Sequence, residues 1–312
     1  MYKIEKVLVT GSNGLTGSAL RRIYGLYPEY EFNFCSRNDY DLIKEQDIIS
    51  MYERFRPDYV IHTAARVGGI GLNLEKPGEL FFQNIIMNSF MIHYAYIYSV
   101  KRILCFSSVC SFPDNVPLLK EELQQFGEPY KDNFAYGYAK RMVDIQIKAY
   151  YKQYGVNYCS VILTNLYGQN DNFDLRDGHV IPALIHKCYL AKKNKEPLTV
   201  WGDGSSLREF ICSDDVAHIS IALLKTFCDR VLVSNPVEIS IKDICKIICD
   251  KMSFKGNTVF DSSKPNGQYR RPSDISLLKS IVPNFKFTDY ATGVENTVHW
   301  FISNYPNIRG IL

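Results

Sequence analysis

The stretch "VLVTGSNGLTGSAL" constrains this chain more than any other part of it. Gly11, Gly14 and Gly17 come directly after a short apolar run and lead into a helical pattern that opens at Leu15. A glycine at the first position permits a tight strand-to-helix turn. One at the second lets backbone approach a bound group, and one at the third allows close helix–strand packing. The helix N-terminus then offers free N–H groups to phosphate. The spacing is GxxGxxG, which differs from the GxGxxG of the standard dinucleotide fingerprint. A glycine-lined turn without ligand is the plain alternative. The position at the very start of a βαβ unit favours the dinucleotide, with Asn13, Leu15 and Thr16 completing the contact surface.

The rest of the first half agrees with that start. Strands are expected at "KVLVT", "YEFNFC", "DYVIHTA", "RILCFSS" and "YCSVILT". Helical patterns lie between them at "LTGSALRRIYGLY", "QDIISMYERF", "LFFQNIIMNSFMIHYAYIY" and "YAKRMVDIQIKAYYKQY". Such alternation predicts an α/β fold, a Rossmann-type doubly wound parallel sheet. Beyond Gly168 the rhythm breaks into Asn-, Asp- and Gly-rich loops, and a strand–helix piece returns at "REFICSDDVAHISIALLKTF". We expect a cofactor domain at 1–165 and 211–235. A smaller, interleaved α/β lobe for substrate is expected at 166–210 and 236–312, over the carboxyl edge of the sheet.

Composition excludes several classes. The chain has 312 residues, 46% of them apolar, which suffices for a large core. The net charge is +3 and no basic block occurs, which argues against a nucleic-acid partner. No apolar run approaches the length of a membrane span, and "MYKIEKVLVTG" enters a strand too soon for a signal peptide. The nine cysteines have neither CxxC nor zinc spacing. They are expected to be reduced thiols, with no metal, in a cytoplasmic protein.

Two further features point to chemistry. The second strand runs into "CSRNDYDL", with Ser36 and Arg37 where an acid would hold the ribose hydroxyl of NAD. An arginine there suits a 2′-phosphate, so NADP(H) is expected. "FAYGYAK" sets Tyr136 and Lys140 four apart on one helix face. An ammonium beside a phenol favours the phenolate and should pull the tyrosine pKa down from about 10. Ser108, after the fourth strand, supplies a second hydroxyl toward the same carbonyl. The order of glycine turn, serine and YxxxK carries more weight than the pair alone, since the chain has 22 tyrosines.

Taken together these features resemble the extended short-chain dehydrogenase/reductase plan. "AARVGGI" at Ala64, "TNLYG", "GHVIPAL", "VWGDGSSLREF" and "DSSKPNG" follow in order, and with them the chain resembles the GDP-L-fucose synthase family over nearly its whole length. The resemblance implies NADPH-dependent reduction at C4 of a GDP-4-keto-6-deoxy sugar, with or without coupled epimerisation at C3 and C5, in deoxy-sugar synthesis for surface polysaccharide. By the same resemblance Ser108, Tyr136 and Lys140 form the reductase triad. Cys110, aligned through Pro113, and His179 fall on the epimerase pair. Leu163, Asn165 and Leu166 fall in the segment beside the nicotinamide. Lys187, Trp201, Arg208 and Asn266 fall on GDP-sugar positions, Asn165 can also reach the sugar, and Arg271 lies near enough to help with phosphate. A homodimer through the helices at 80–99 and 134–154 is implied as well.

The chain departs from the family pattern in places. Val109, Ser111 and Phe112 alter the surroundings of Cys110. Lys187 replaces an arginine, Asn266 replaces an acid, and Ala135 replaces a proline. These changes leave open a related substrate, such as a GDP-heptose. A non-catalytic NADP(H)-binding regulator would be expected to lack Tyr136 or Lys140, and both are present. A 4,6-dehydratase would want an acidic pair after the serine, where "SVCSFP" has none.

Overall fold

The computed structural model describes residues 4–226, 228–264 and 269–311. In chain order the strands are β1 (Glu5–Thr10), β2 (Tyr30–Cys35), β3 (Tyr59–His62), β4 (Arg102–Ser108), β5 (Cys159–Leu163), β6 (Asn165–Tyr167), β7 (Leu198–Trp201), β8 (Leu207–Cys212), β9 (Arg230–Val233), β10 (Glu238–Ser240) and β11 (Thr258–Asp261). The helices are α1 (Leu15–Ile23), α2 (Glu45–Phe55), α3 (Ile70–Glu75), α4 (Pro77–Ile97), α5 (Phe134–Tyr154), α6 (Val180–Asn194), α7 (Ser213–Leu223), α8 (Ile241–Lys251), α9 (Ser276–Ile281) and α10 (Tyr290–Asn304). All five strands expected from the sequence are present. A sixth, β9, which no motif marks, closes the far edge of the sheet.

The main sheet has the order β2-β1-β3-β4-β5-β9, and every pairing in it is parallel. Period-two alternation splits its side chains between two layers. Val7 and Val9 of β1 join Leu20 of α1 and Ile219 of α7 on one face. Leu8 joins Ile48 of α2, Ile92 of α4 and Ile147 of α5 on the other. The doubly wound α/β expectation is therefore met. Strand order reverses between β1 and β3, and that break is where a parallel sheet opens a crevice at its carboxyl edge.

A second core lies beyond it. Two small sheets, β10-β8-β6 and β11-β7, pack with α6, α8 and α10 around Phe173, Ile185, Ile248 and Phe301. β8 joins the two cores: Ile211 faces the first, and its neighbours Phe210 and Cys212 face the second. Residues 275–287 return to the first core through Ile275, Leu278, Phe285 and Phe287. The apolar spacing of that segment shows that it is buried, but not against which core.

Candidate active site

A cleft of about 790 Å³ opens at the carboxyl ends of β1, β3, β4 and β5. Gly11 starts it. Its φ of +69° is the left-handed conformation that favours glycine, and a Cβ there would lie 2.7 Å from the Ala64 backbone nitrogen. Gly17 lies beneath the turn and does not line the cleft; a Cβ on it would lie 2.4 Å from the Gly11 carbonyl oxygen. α1 is capped at Gly14 with no side-chain bond to its first N–H groups, which leaves them to an incoming anion. Asn13, Gly14, Leu15, Thr16, Arg37 and Ala64 line the same end of the cleft. The acid after β2, Asp39, accepts hydrogen bonds from Ser36 N at 2.8 Å and Ser36 Oγ at 2.7 Å, so its carboxylate is already engaged. Arg37 is exposed beside it. The turn and the arginine fit a dinucleotide bearing an extra phosphate.

The other end of the cleft holds Ser108, Cys110, Tyr136, Lys140, Leu163, Asn165, Leu166 and His179. Tyr136 and Lys140 lie one turn apart on α5, and the Lys140 Nζ sits 5.9 Å from the Tyr136 ring centroid. That Nζ donates to the Phe106 carbonyl at 2.7 Å. Burial lowers the Lys140 pKa to about 8.

The Tyr136 phenol corrects the expectation of a lowered pKa. Burial pushes it well above its usual value, and the nearby Cys110 thiol adds to the rise; a hydrogen bond with Ser108 opposes them. The lysine does not win because its Nζ is held by a carbonyl and its own charge is desolvated. Tyr136 is therefore a protonated phenol at neutral pH, with Ser108 beside it lining the same cleft. That is the state a proton donor needs.

Ser108 also accepts from the Cys110 backbone N–H at 3.2 Å, capping the short turn that carries the thiol. Cys110 is half-buried and lines the cleft. Two of its altered neighbours turn away from it. Ser111 and Phe112 are both 0% exposed. Ser111 Oγ donates to the Ser108 carbonyl at 2.6 Å and accepts from Gln124 at 2.8 Å. Phe112 packs on Leu119, Ile162 and Leu232. These two substitutions rebuild the support under the turn, while the third altered neighbour, Val109, lines the cleft. His179 lines the same cleft as the N-cap residue of α6, with its side chain making no cap bond.

Other expected residues lie apart from this cleft. Lys187 and Trp201 face each other across a separate pocket of about 290 Å³, with the ammonium 4.6 Å from the indole. Arg208 and Arg271 form a pair of like charges. Burial lowers the pKa of both, and the charge of Arg271 lowers that of Arg208 further. Their hydrogen bonds go to the carbonyls of Leu207, Tyr269 and Pro113. Arg271 Nε is buried without a partner among the described residues. Asn266 lies outside the described residues. Sequence reasoning missed Arg66, Asp171 and Arg309, which also line the large cleft. Arg66 lies inside the "AARVGGI" motif, which gives it no role, no motif marks Asp171, and Arg309 arrives from the far end of the chain.

A parallel sheet with a glycine turn at its switch point and a buried Tyr/Lys pair beside it defines a nicotinamide-dinucleotide oxidoreductase. The NAD dependent epimerase/dehydratase family matches over residues 7–231. GDP-L-fucose synthase of Dictyostelium discoideum is 38% identical, with 97% of each chain covered. The crystal structure of a GDP-L-fucose synthetase from Naegleria fowleri bound to NADP superposes with a TM-score of 0.92 at 32% identity, covering 99% of this chain and 97% of that one. A GDP-6-OMe-4-keto-L-xylo-heptose reductase from C. jejuni follows with a TM-score of 0.87 at 25% identity, covering 97% and 99%. The chain belongs to the GDP-L-fucose synthase family within the epimerase/dehydratase class.

Proposed function

We propose that this enzyme is an NADPH-dependent 4-reductase of a GDP-4-keto-6-deoxy sugar that also epimerises C3 and C5. The observation that carries the reading is one cleft lined by Ser108, Tyr136 and Lys140 together with Cys110 and His179. In this reading the first turn of α1 binds the pyrophosphate and Arg37 takes the 2′-phosphate. When bound there, NADPH supplies hydride to C4. Tyr136 gives its proton to the C4 oxygen, and Ser108 donates a second hydrogen bond to it. The same two donors stabilise the enolate formed when a proton leaves C3 or C5. Cys110 and His179 remove and return protons on opposite faces of the sugar, roles that a thiol and an imidazole can fill. Leu163, Asn165 and Leu166 border the nicotinamide end. The paired Arg208 and Arg271 bind the nucleotide's phosphates, and Trp201 offers its exposed face to guanine beside Lys187. Asn266 remains a proposed substrate contact.

The decisive experiment runs the reaction with NADPH in deuterated water. Deuterium is expected at C3 and C5, with hydride delivered to C4 alone. Cys110→Ser should suppress the exchange, because a hydroxyl is a far weaker acid than a thiol. Wild-type turnover without deuterium at either carbon would leave only the reductase.

For the cofactor, Arg37→Ala should weaken NADPH binding by roughly 1–3 kcal/mol, the scale of a charge-assisted contact. NADH binding should change little, and fluorescence titration of both cofactors separates the cases. Equal loss for both would remove Arg37 from this role.

We also propose a homodimer through α4 and α5. Phe82 is 59% exposed, Phe134 50% and Tyr151 51%, more apolar surface on two adjacent helices than a monomer usually leaves open. Sedimentation at micromolar concentration should give twice the chain mass; a clean monomer would contradict it. The division into parts at 1–165 with 211–235 and 166–210 with 236–312 is kept as a proposal, supported by the separate second core except at 275–287, which pack on the first. The nine free thiols favour a reducing, cytoplasmic setting, and deoxy-sugar synthesis for surface polysaccharide is the proposed pathway role.

A further inference from the structure

Asp171 sits in the loop between β6 and α6 and is 3% exposed. Its Oδ1 accepts from the Asn172 N–H at 2.7 Å. Its Oδ2 is buried with no hydrogen-bond partner among the described residues. A buried carboxylate oxygen left without a donor is costly, and such an atom calls for an explanation. Asp171 lines the cleft, as do His179 and Arg309, the two basic side chains that counter the rise burial imposes on its carboxyl.

The loop around these groups is braced. Asp174 Oδ1 accepts from Arg176 N at 2.7 Å and Asp177 N at 2.8 Å. Gly178 N donates to the Asp174 carbonyl at 2.9 Å. Phe173 N donates to the Arg309 carbonyl at 3.0 Å, which ties the C-terminal segment to the loop. The two ends of the loop, at Asp171 and His179, are thus held on one frame. The His179 imidazole is not spent on capping its helix and is exposed at the cleft.

We infer that Asp171 is the positioning residue for His179, its free carboxylate oxygen accepting a hydrogen bond from the imidazole and fixing the ring's orientation over the cleft. An imidazole that must take and return a proton at a sugar carbon needs one tautomer and one direction. A carboxylate behind it supplies both, and stabilises the imidazolium while it carries the extra proton. This inference rests on the proposed proton-transfer role of His179.

The test is the titration of His179 by NMR in the full-length protein, its signals assigned among the six histidines with His179→Gln. The titratable and charged groups sharing the cleft with it are Asp171 and Asp177 from its own loop, Arg309 from the C-terminal segment, Cys110, Tyr136 and Lys140 beside the proposed sugar site, Arg66 after β3, and Cys35, Arg37, Tyr40 and Asp41 at the cofactor end. In Asp171→Asn, which keeps the shape, His179 should titrate about one unit lower. Wild type should show a single neutral tautomer, a readout that needs no variant. An unchanged titration in Asp171→Asn, or an even mixture of tautomers in wild type, would overturn the inference. In turnover, deuterium uptake at the sugar carbons should fall about tenfold more than NADPH oxidation does. If wild type takes up no deuterium, the role of His179 fails, and the NMR result still decides whether Asp171 holds it.

Discussion

Tyr136→Phe is expected to lower turnover by about two or more orders of magnitude while NADPH still binds. The ring keeps its place in the packing, where Tyr136 is 8% exposed, so the fold should be unaffected. What disappears is the proton for the C4 oxygen. Ser108 and Cys110 remain beside the vacated position, but a serine hydroxyl is too weak an acid to replace the phenol. The raised phenol pKa gives a second readout. Tyr136 stays protonated across the neutral range, so wild-type reduction should show no loss of rate below about pH 9 from its ionisation. Single-turnover oxidation of NADPH, followed by absorbance, checks both points. A wild-type rate in the variant would sink the assignment.

Lys140→Met should also abolish most turnover, and at the same time raise stability. Lys140 is 2% exposed, and burial lowers its pKa from the ordinary 10.5 to about 8. At pH 7 the folded protein must keep a charge that burial disfavours, at a cost of about 3 kcal/mol. Methionine removes that cost but leaves the Phe106 carbonyl without its donor, which returns about 1–2 kcal/mol. The net gain at pH 7 should be about 1–2 kcal/mol. Between about pH 8 and 10.5 the unfolded chain binds the lysine proton more tightly than the folded one, so wild-type stability rises with pH through that window. Below about pH 8 both states carry the proton, and this contribution stays at its least favourable level. The advantage of the variant should therefore shrink above about pH 8 and reverse before about pH 10.5, where only the lost hydrogen bond to Phe106 remains. Thermal denaturation of both proteins at neutral pH and near pH 10 measures it. A variant less stable than wild type at neutral pH would contradict the account. A charge retained where it destabilises the fold is what a functional site predicts.

Local pattern is enough for much of this molecule. The alternation of strands and helices follows from apolar spacing, and β2 and β4 match the expected segments "YEFNFC" and "RILCFSS" residue for residue. The turn at Gly11 follows from the glycine spacing, since a left-handed residue beside a neighbouring backbone leaves no room for a side chain. The pairing of Tyr136 with Lys140 follows from helix geometry, because residues four apart share a face. The candidates at Ser108, Cys110 and His179 come from ordered motifs, and all three line the cleft. Which elements form, and which side chains carry the chemistry, are thus set by neighbours a few residues apart.

Burial and long-range contact have no such local signature, and packing alone settles what depends on them. It reverses the expected shift of Tyr136, since desolvation depends on what covers the ring and not on the lysine one turn away. It turns Ser111 and Phe112 from apparent damage at the site into a buried support under Cys110. It sends Ile211 to one core and its neighbours Phe210 and Cys212 to another, a division that strand alternation allows but cannot direct. It carries residues 275–287 back to the first core, and it brings Arg309 beside Asp171 from the other end of the chain. Which of the chemical side chains keep a proton, and which find a partner, is decided only when distant segments close over them and exclude water.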